Sequence, residues 1–212
     1  MASGKQAILR QAYTELAKAE KSGDWERGLK TCHRILKNYP HEATAFRCKL
    51  VCLIQVGNRF DDVLTLIRKS PPNMTSDCVF EKAYCEYRLN RQEDALNTLQ
   101  EIPEEKLDFK SRELLAQLLY RKEEHKKAQQ IYQQLLKESE DDFDLERQAN
   151  LMAVEAQLQD LSPNSPIETS GARPETYEQH YNESCKLVTQ KNYKAALKHL
   201  KQAESNIIAF VM

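Results

Sequence analysis

A small or slender residue recurs along this chain at an almost constant interval. It stands near the start of five helical stretches, at Gly28, Val63, Ala95, Ala128 and Ala196. The first four follow one another at intervals of 35, 32 and 33 residues, and the last interval, 68 residues, is twice 34. A fixed period of this length is typical of stacked helix–turn–helix units, so we expect neighbouring repeats to share a continuous core.

Each period carries the residues that two antiparallel helices need. The small residue lets two helix backbones cross closely. Gly23, Gly57 and Asn90 fall where the first helix of a pair must end, and Pro40 stops a second helix. Strand signals are nearly absent. The sequence therefore predicts an all-α fold, a right-handed superhelical solenoid of tetratricopeptide repeats.

The repeats can be placed along the whole chain. Three prolines between Ser162 and Pro174 exclude a regular helix there, so we expect a mobile loop in place of one second helix. The apolar carboxy-terminal sequence suggests a fragment of a longer protein. We predict a single domain over residues 1–212, with repeats at about 9–42, 43–75, 76–108 and 109–142, a degenerate unit at 143–161 with a loop at 162–174, and a further helix pair at 175–212.

Charge and hydrophobicity exclude several classes of partner. The 31 basic and 32 acidic residues are mixed along the chain and give a net charge of -1, so no broad positive field would attract RNA. The amino terminus lacks the apolar run of a signal peptide, and no stretch of 18 apolar residues could span a bilayer. We expect a cytoplasmic protein with neither direct RNA binding nor membrane insertion.

The sequence indicates neither a cofactor nor an enzyme. The six cysteines are expected to stay reduced. Cys48 and Cys52 share a helical face, but no further Cys or His pair completes a metal site, so buried apolar packing is the favoured interpretation. Five histidines are dispersed, and each is expected on a solvated face beside charged residues: His33, His41, His125, His180 and His199.

Several idiosyncratic strings point to a particular family. In order and spacing they resemble the amino-terminal tetratricopeptide-repeat domain of the seventy-two-kilodalton subunit of the signal recognition particle, over nearly the whole chain. The resemblance implies a scaffold that docks the carboxy-terminal region of the sixty-eight-kilodalton subunit and supports co-translational targeting to the endoplasmic reticulum. It rests on "ATAFRCKLVCLIQ", "FEKAYCEYRLNR", "LLYR", "DDFDLERQANL" and "YNESC".

First helices of stacked pairs are expected to line a concave groove. Its tyrosines and arginines are typical of interface hot spots, although Tyr87 and Tyr120 could equally fill the seam between helices. Whether the partner binds as a helix or as an extended segment stays open. The candidate partner-binding residues are Tyr13, Arg47, Val51, Phe80, Tyr84, Tyr87, Arg88, Gln117, Tyr120 and Arg121.

A chaperone adaptor is the alternative class of binding protein. Some repeat adaptors of chaperones clamp a terminal dicarboxylate with lysines and asparagines on their inner helices. The clamp residues are missing here, and two of the cationic positions are acidic, which disfavours this alternative. The corresponding positions carry Tyr13, Ala17, Cys48, Asp77 and Glu81.

Overall fold

The fold is built from α-helices alone. The computed structural model describes residues 2–138, 141–164 and 166–211, and within these ranges it contains twelve α-helices and no strand. The all-α prediction is thus confirmed. The chain divides into two compact units between Lys106 and Leu107. The expected single domain over residues 1–212 stays a prediction.

Unit 1, up to Lys106, holds three helix pairs, a short helix between the second and third pairs, and a final 3-10 turn. The helices are α1 (Ala2–Ser22), α2 (Trp25–Asn38), α3 (Ala43–Val56), α4 (Phe60–Lys69), the short α5 (Pro72–Thr75), α6 (Val79–Arg88) and α7 (Gln92–Gln100), followed by the turn at Glu104–Lys106.

Unit 2, from Leu107, holds two helix pairs separated by a single helix. The helices are α8 (Phe109–Arg121), α9 (His125–Glu138), α10 (Asp144–Leu161), α11 (Tyr177–Thr189) and α12 (Tyr193–Val211).

The recurring small residues lie buried in the helix pairs. Val63, Ala95 and Ala128 are fully buried, and Ala196 is 1% exposed. At Gly28 even a methyl group would meet a neighbour, because an added Cβ would lie 2.8 Å from the Sγ of Cys52. The constant interval in the sequence therefore reflects a constant need for little side-chain volume where two helices approach.

Left-handed residues make the turns between paired helices. Gly23, Gly57 and Asn90 have φ values of 66°, 79° and 59°, as their positions indicated. Asn58, which follows Gly57, also has a positive φ, of 53°. Asparagine adopts this conformation at low cost since its side chain can bond locally.

Two further turns use residues that carry no such signal. Glu123 and Lys191 end α8 and α11 with φ values of 62° and 59°. Neither side chain favours the left-handed region, where a residue with a Cβ costs roughly 1–2 kcal/mol. The packing of the flanking helices imposes this geometry, which is why the sequence alone gave no sign of it.

The segment between α10 and α11 is attached to the helices beside it. The side chain of Ile167 packs on the core of α8, α9 and α10. Gln129 donates from Nε2 to the carbonyl of Glu168 at 2.8 Å, and the amide of Ser170 donates to the buried carboxylate of Glu155 at 2.6 Å. The sequence suggested only a mobile loop, whereas the extended segment has three anchors.

Enlarging a crossing residue should destabilise unit 1. We expect Ala95→Leu to cost about 1–3 kcal/mol in the free energy of unfolding, because the fully buried Ala95 leaves no room for three more carbon atoms. Ala17→Leu, at an exposed position in the middle of α1, is the matched control and should change stability by less than about 0.5 kcal/mol. Urea titrations followed by circular dichroism measure the stability of both variants. If Ala95→Leu were as stable as the wild type, Ala95 could not lie at the helix crossing.

Candidate functional site

Aromatic rings and an arginine meet on one face of unit 1. The rings of Phe80 and Tyr84, one turn apart on α6, stack with centroids 5.9 Å apart. Phe60, from the start of α4, meets Tyr84 edge-on at 6.4 Å. The guanidinium of Arg88 lies 4.8 Å from the centroid of the Phe60 ring, and its Nη1 donates to the hydroxyl of Tyr84 at 2.8 Å. We call these four residues the α6 cluster.

The α6 cluster leaves part of its surface open to a partner. Phe80 and Tyr84 are half-buried, Arg88 is exposed, and Phe60 is 7% exposed. The structure thus brings three predicted site residues together. It adds Phe60, which was not among the predicted site residues. The cation–π contact and the hydrogen bond hold Arg88 in one orientation, which lowers the entropy lost when a partner binds.

Arg47 belongs partly to the framework. Its Nε donates to Oε1 of Glu81 at 2.7 Å, and Glu81 is only 3% exposed. The second oxygen of Glu81 is buried and has no hydrogen-bond partner among the described residues. Removing Arg47 would leave a buried carboxylate uncompensated, which is strongly destabilising. Val51, one turn further along α3, is 36% exposed and takes no part in this ion pair.

The remaining two predicted residues of unit 1 are half-buried. Tyr13 donates from its hydroxyl to Oε1 of Glu42 at 3.3 Å, which ties α1 to the start of α3. Burial, followed by the charge of Glu42, raises the pKa of Tyr13 to about 12. Tyr87 lies at the end of α6 beside Arg88. Both phenols therefore offer a partner only part of their surface.

Three predicted site residues lie in unit 2. Gln117 and Tyr120 are half-buried on α8, and Arg121 is exposed at its end. The ring of Tyr120 packs against the core of its unit, with its centroid 5.4 Å from that of His125. For Tyr120 the packing alternative therefore has direct structural support.

The sequence did not reveal the role of Arg147 in unit 2. Its buried guanidinium bonds Oδ1 of Asp141 at 2.7 Å, Oδ1 of Asp144 at 2.8 Å and, more weakly, Oε2 of Glu113 at 3.4 Å. It also lies 4.5 Å from the centroid of the Phe109 ring. The hydrogen bonds that it donates to Asp141 raise the pKa of Arg147 and keep it charged. Asp141 and Asp144 precede Arg147 by six and three residues, and this closeness in the sequence was the available signal.

A concavity in unit 1 has a volume of about 450 Å³. Leu64, Ile67 and Val79 form apolar parts of its wall, and Glu86 contributes a carboxylate that is 7% exposed. Thr98 donates from Oγ1 to Oε2 of Glu86 at 2.7 Å. Burial raises the pKa of Glu86, and the bond from Thr98 opposes part of that shift. Glu86 was not among the predicted site residues.

Three histidines are less exposed than the sequence suggested. His125 is buried at the start of α9. His180 and His199 are half-buried and face each other across α11 and α12, with 2.9 Å between their Nδ1 atoms. Burial, together with the charge of His199, lowers the pKa of His180. The expectation of solvated faces was wrong for these three residues. For His180 and His199 the reason is that the packing of α12 on α11 brings together two side chains that are 19 residues apart.

The described residues contain neither a candidate metal site nor a candidate membrane span. Across the part of the chain that is described, no group of three or more His, Cys, Asp or Glu residues could hold a metal ion. Among those same residues, no helix has both the length and the apolar character needed to cross a bilayer.

Comparison with known proteins identifies the family. A family model for an SRP TPR-like repeat matches residues 21–157. The signal recognition particle subunit SRP72 of Homo sapiens is 39% identical over 193 residues, which cover 91% of this chain. The chain belongs to the TPR-like repeat family of SRP72. The predicted family and repeat fold are thereby confirmed.

Other SRP72 proteins show the same extent of similarity. That of Caenorhabditis elegans is 35% identical over 203 residues, or 96% of this chain, and that of Schistosoma mansoni is 37% identical over 185 residues, or 87%. The aligned parts amount to 31%, 28% and 25% of the worm, human and fluke proteins. The chain thus spans about a third or less of the length of these curated relatives.

The buried carboxylate of Glu86 should make unit 1 more stable in mild acid. The pKa of Glu86 is raised in the folded state, so a charged Glu86 lowers the free energy of unfolding. This penalty disappears as the pH falls through the folded-state pKa towards the unfolded-state pKa of about 4.3. We expect the unfolding free energy of the wild type to rise relative to that of Glu86→Gln between neutral pH and that range. Gln can still accept the bond from Thr98.

Urea unfolding at several pH values measures this difference. Glu26→Gln, at an exposed position on α2, is the control and should show no such trend. A wild type that loses stability relative to Glu86→Gln as the pH falls would contradict the assignment.

Proposed function

We propose that this chain is a protein-binding scaffold of the signal recognition particle. It docks the carboxy-terminal region of the sixty-eight-kilodalton subunit on the face of its first helices, and so supports co-translational targeting to the endoplasmic reticulum from the cytoplasm. The similarity to SRP72 of Homo sapiens, which covers 91% of this chain, supports the role in the signal recognition particle. The observation that carries the choice of surface is the α6 cluster.

The chemistry of the α6 cluster suits a peptide partner. Phe80 and Tyr84 offer flat aromatic area with few rotatable bonds, and the phenol and guanidinium at its edge can bind backbone or carboxylate groups. Val51 adds exposed aliphatic surface from α3. Tyr13, Arg47 and Tyr87 would frame this surface. Gln117, Tyr120 and Arg121 extend the proposal to unit 2.

In this role the chain catalyses no reaction and makes no contact with RNA. Its net charge of -1 would release few counterions from a polyanion. A chaperone-tail adaptor is the competing class. Of the positions that would form its carboxylate clamp, Glu81 is buried against Arg47 and Ala17 has no polar group, so the adaptor is disfavoured.

Truncation of the α6 cluster should weaken partner binding. We expect Tyr84→Ala and Arg88→Ala each to cost about 2 kcal/mol, roughly a 30-fold increase in the dissociation constant, since central anchors of an interface contribute this much. The measurement is isothermal titration of the chain with the carboxy-terminal segment of the sixty-eight-kilodalton subunit. Melting curves must accompany it, because Arg88 also contacts Phe60.

Matched controls separate the surface from general effects. Tyr181→Ala on α11 removes a tyrosine that is 57% exposed, and Arg68→Ala on α4 removes an exposed arginine outside the α6 cluster. Both should bind like the wild type. Folded Tyr84 and Arg88 variants with unchanged affinity would refute this surface, and tight binding of chaperone tail peptides would favour the adaptor.

A further inference from the structure

Three helices of unit 1 border the concavity beside Glu86. Helices α4 and α7 each pack on α6, and the concavity lies between them. Its volume of about 450 Å³ falls within the range of natural ligand pockets, roughly 300–1,000 Å³. Leu64 and Ile67 of α4 and Val79 of α6 form its apolar wall. The concavity therefore has both the size and the surface to take up an apolar stem.

The concavity and the α6 cluster use opposite sides of α6. Val79, Lys82 and Glu86 follow at spacings of three and four and so share one face of the helix. The α6 members of the α6 cluster begin one position later, at Phe80, and continue at spacings of four. At about 100° per residue, the mean directions of the two sets differ by nearly half a turn. The concavity is thus separate from the surface proposed to bind the sixty-eight-kilodalton subunit.

The carboxylate of Glu86 is incompletely hydrogen-bonded. Thr98 of α7 donates to Oε2 at 2.7 Å, whereas no group of the described residues donates to Oε1. Glu86 is only 7% exposed, so little water can replace the missing donor. A hydrogen bond to a charged group contributes more than one between neutral groups, and its contribution rises where water is excluded. A ligand that brings a charged donor to Oε1 therefore gains an interaction that the chain itself does not make.

Two cations beside the concavity are held by other carboxylates. Lys82 lies one turn before Glu86 on α6, but its Nζ donates to Oε1 of Glu101 at 3.2 Å, at the end of α7. Arg91, just before α7, donates from Nη2 to Oδ1 of Asp61 at 3.0 Å. Both ion pairs direct the cations away from Glu86, so the donor for Oε1 is left to a ligand.

We propose that the concavity binds a lysine side chain of a partner peptide, with the ammonium on Oε1 of Glu86 and the aliphatic stem on the apolar wall. A lysine stem packs well on apolar surface while its charged end bonds a carboxylate. One free oxygen suits an ammonium, whereas the planar fork of arginine binds a carboxylate best through both oxygens, and Thr98 already occupies Oε2. Arg68 at the wall opposes the incoming charge only weakly, because this exposed side chain is screened by water.

Small probes that reproduce single side chains test the proposal on the chain as it stands. n-Butylammonium stands for lysine, n-propylguanidinium for arginine, butyrate for an acidic residue, and n-butanol for the stem without its charge. Amide shifts in NMR titrations at constant ionic strength measure the binding of each. We expect saturable shifts from n-butylammonium at amides around Glu86, and weaker binding of the other three probes. A blocked peptide with one lysine between glycines should bind at the same amides.

A charge-removing variant tests the role of Glu86. We expect Glu86→Gln to weaken the binding of n-butylammonium by at least about tenfold, because a charge-assisted hydrogen bond is lost. Glu26→Gln, at an exposed position on α2, is the matched control and should bind the probe like the wild type. A readout on the wild type needs no variant. The carboxyl carbon of Glu86 should titrate at a lower pKa with the probe bound, since a nearby cation favours the carboxylate.

Several results would overturn the proposal. Shifts that persist in Glu86→Gln, or no shift around Glu86 at any concentration that leaves the chain folded, would remove the site. Equal binding of n-butanol would make it an apolar pocket, and tighter binding of butyrate would assign it to an acidic group. An unchanged pKa of Glu86 would exclude the contact with Oε1. Binding of n-butylammonium without binding of the lysine peptide would assign the site to a free amine instead of a partner chain.

Discussion

Two helices of this chain can cross closely only where one of them lacks a long side chain, and the other regularities of the fold follow from that requirement. Val63, Ala95 and Ala128 are fully buried at such positions, and Gly28 has no space for a Cβ beside Cys52. Since each repeat must supply one such residue, the spacing of these residues stays near 34 along the chain. Corresponding residues of neighbouring first helices then come within hydrogen-bonding distance.

Polar bridges between first helices are the direct consequence. Arg47 binds Glu81, and Arg147 binds Glu113, in both cases across 34 residues. Gln179 reaches the carbonyl of Leu145 over the same separation. Within each unit, these side chains hold neighbouring helices in register, so they contribute to the framework before any partner arrives. The surface left for binding consists mainly of aromatic and aliphatic residues that make no such bridge.

The sequence predicted what depends on local chemistry and missed what depends on packing. The crossing residues and the turn at Asn90 could be read from residue type, because small volume and the left-handed conformation select few amino acids. Glu123 and Lys191 adopt that conformation without any such preference. The anchoring of Ile167 and the meeting of His180 with His199 join residues that nothing in their local sequence relates. Of the candidate site, Phe80, Tyr84 and Arg88 were found because they share one helical face, whereas Phe60 comes from another helix.

The surface proposed for partner binding has both an apolar and a polar part. The α6 cluster combines half-buried rings with a phenol and a guanidinium, which remain hydrated when no partner is bound. Such a surface is suited to a subunit that binds as a separate chain.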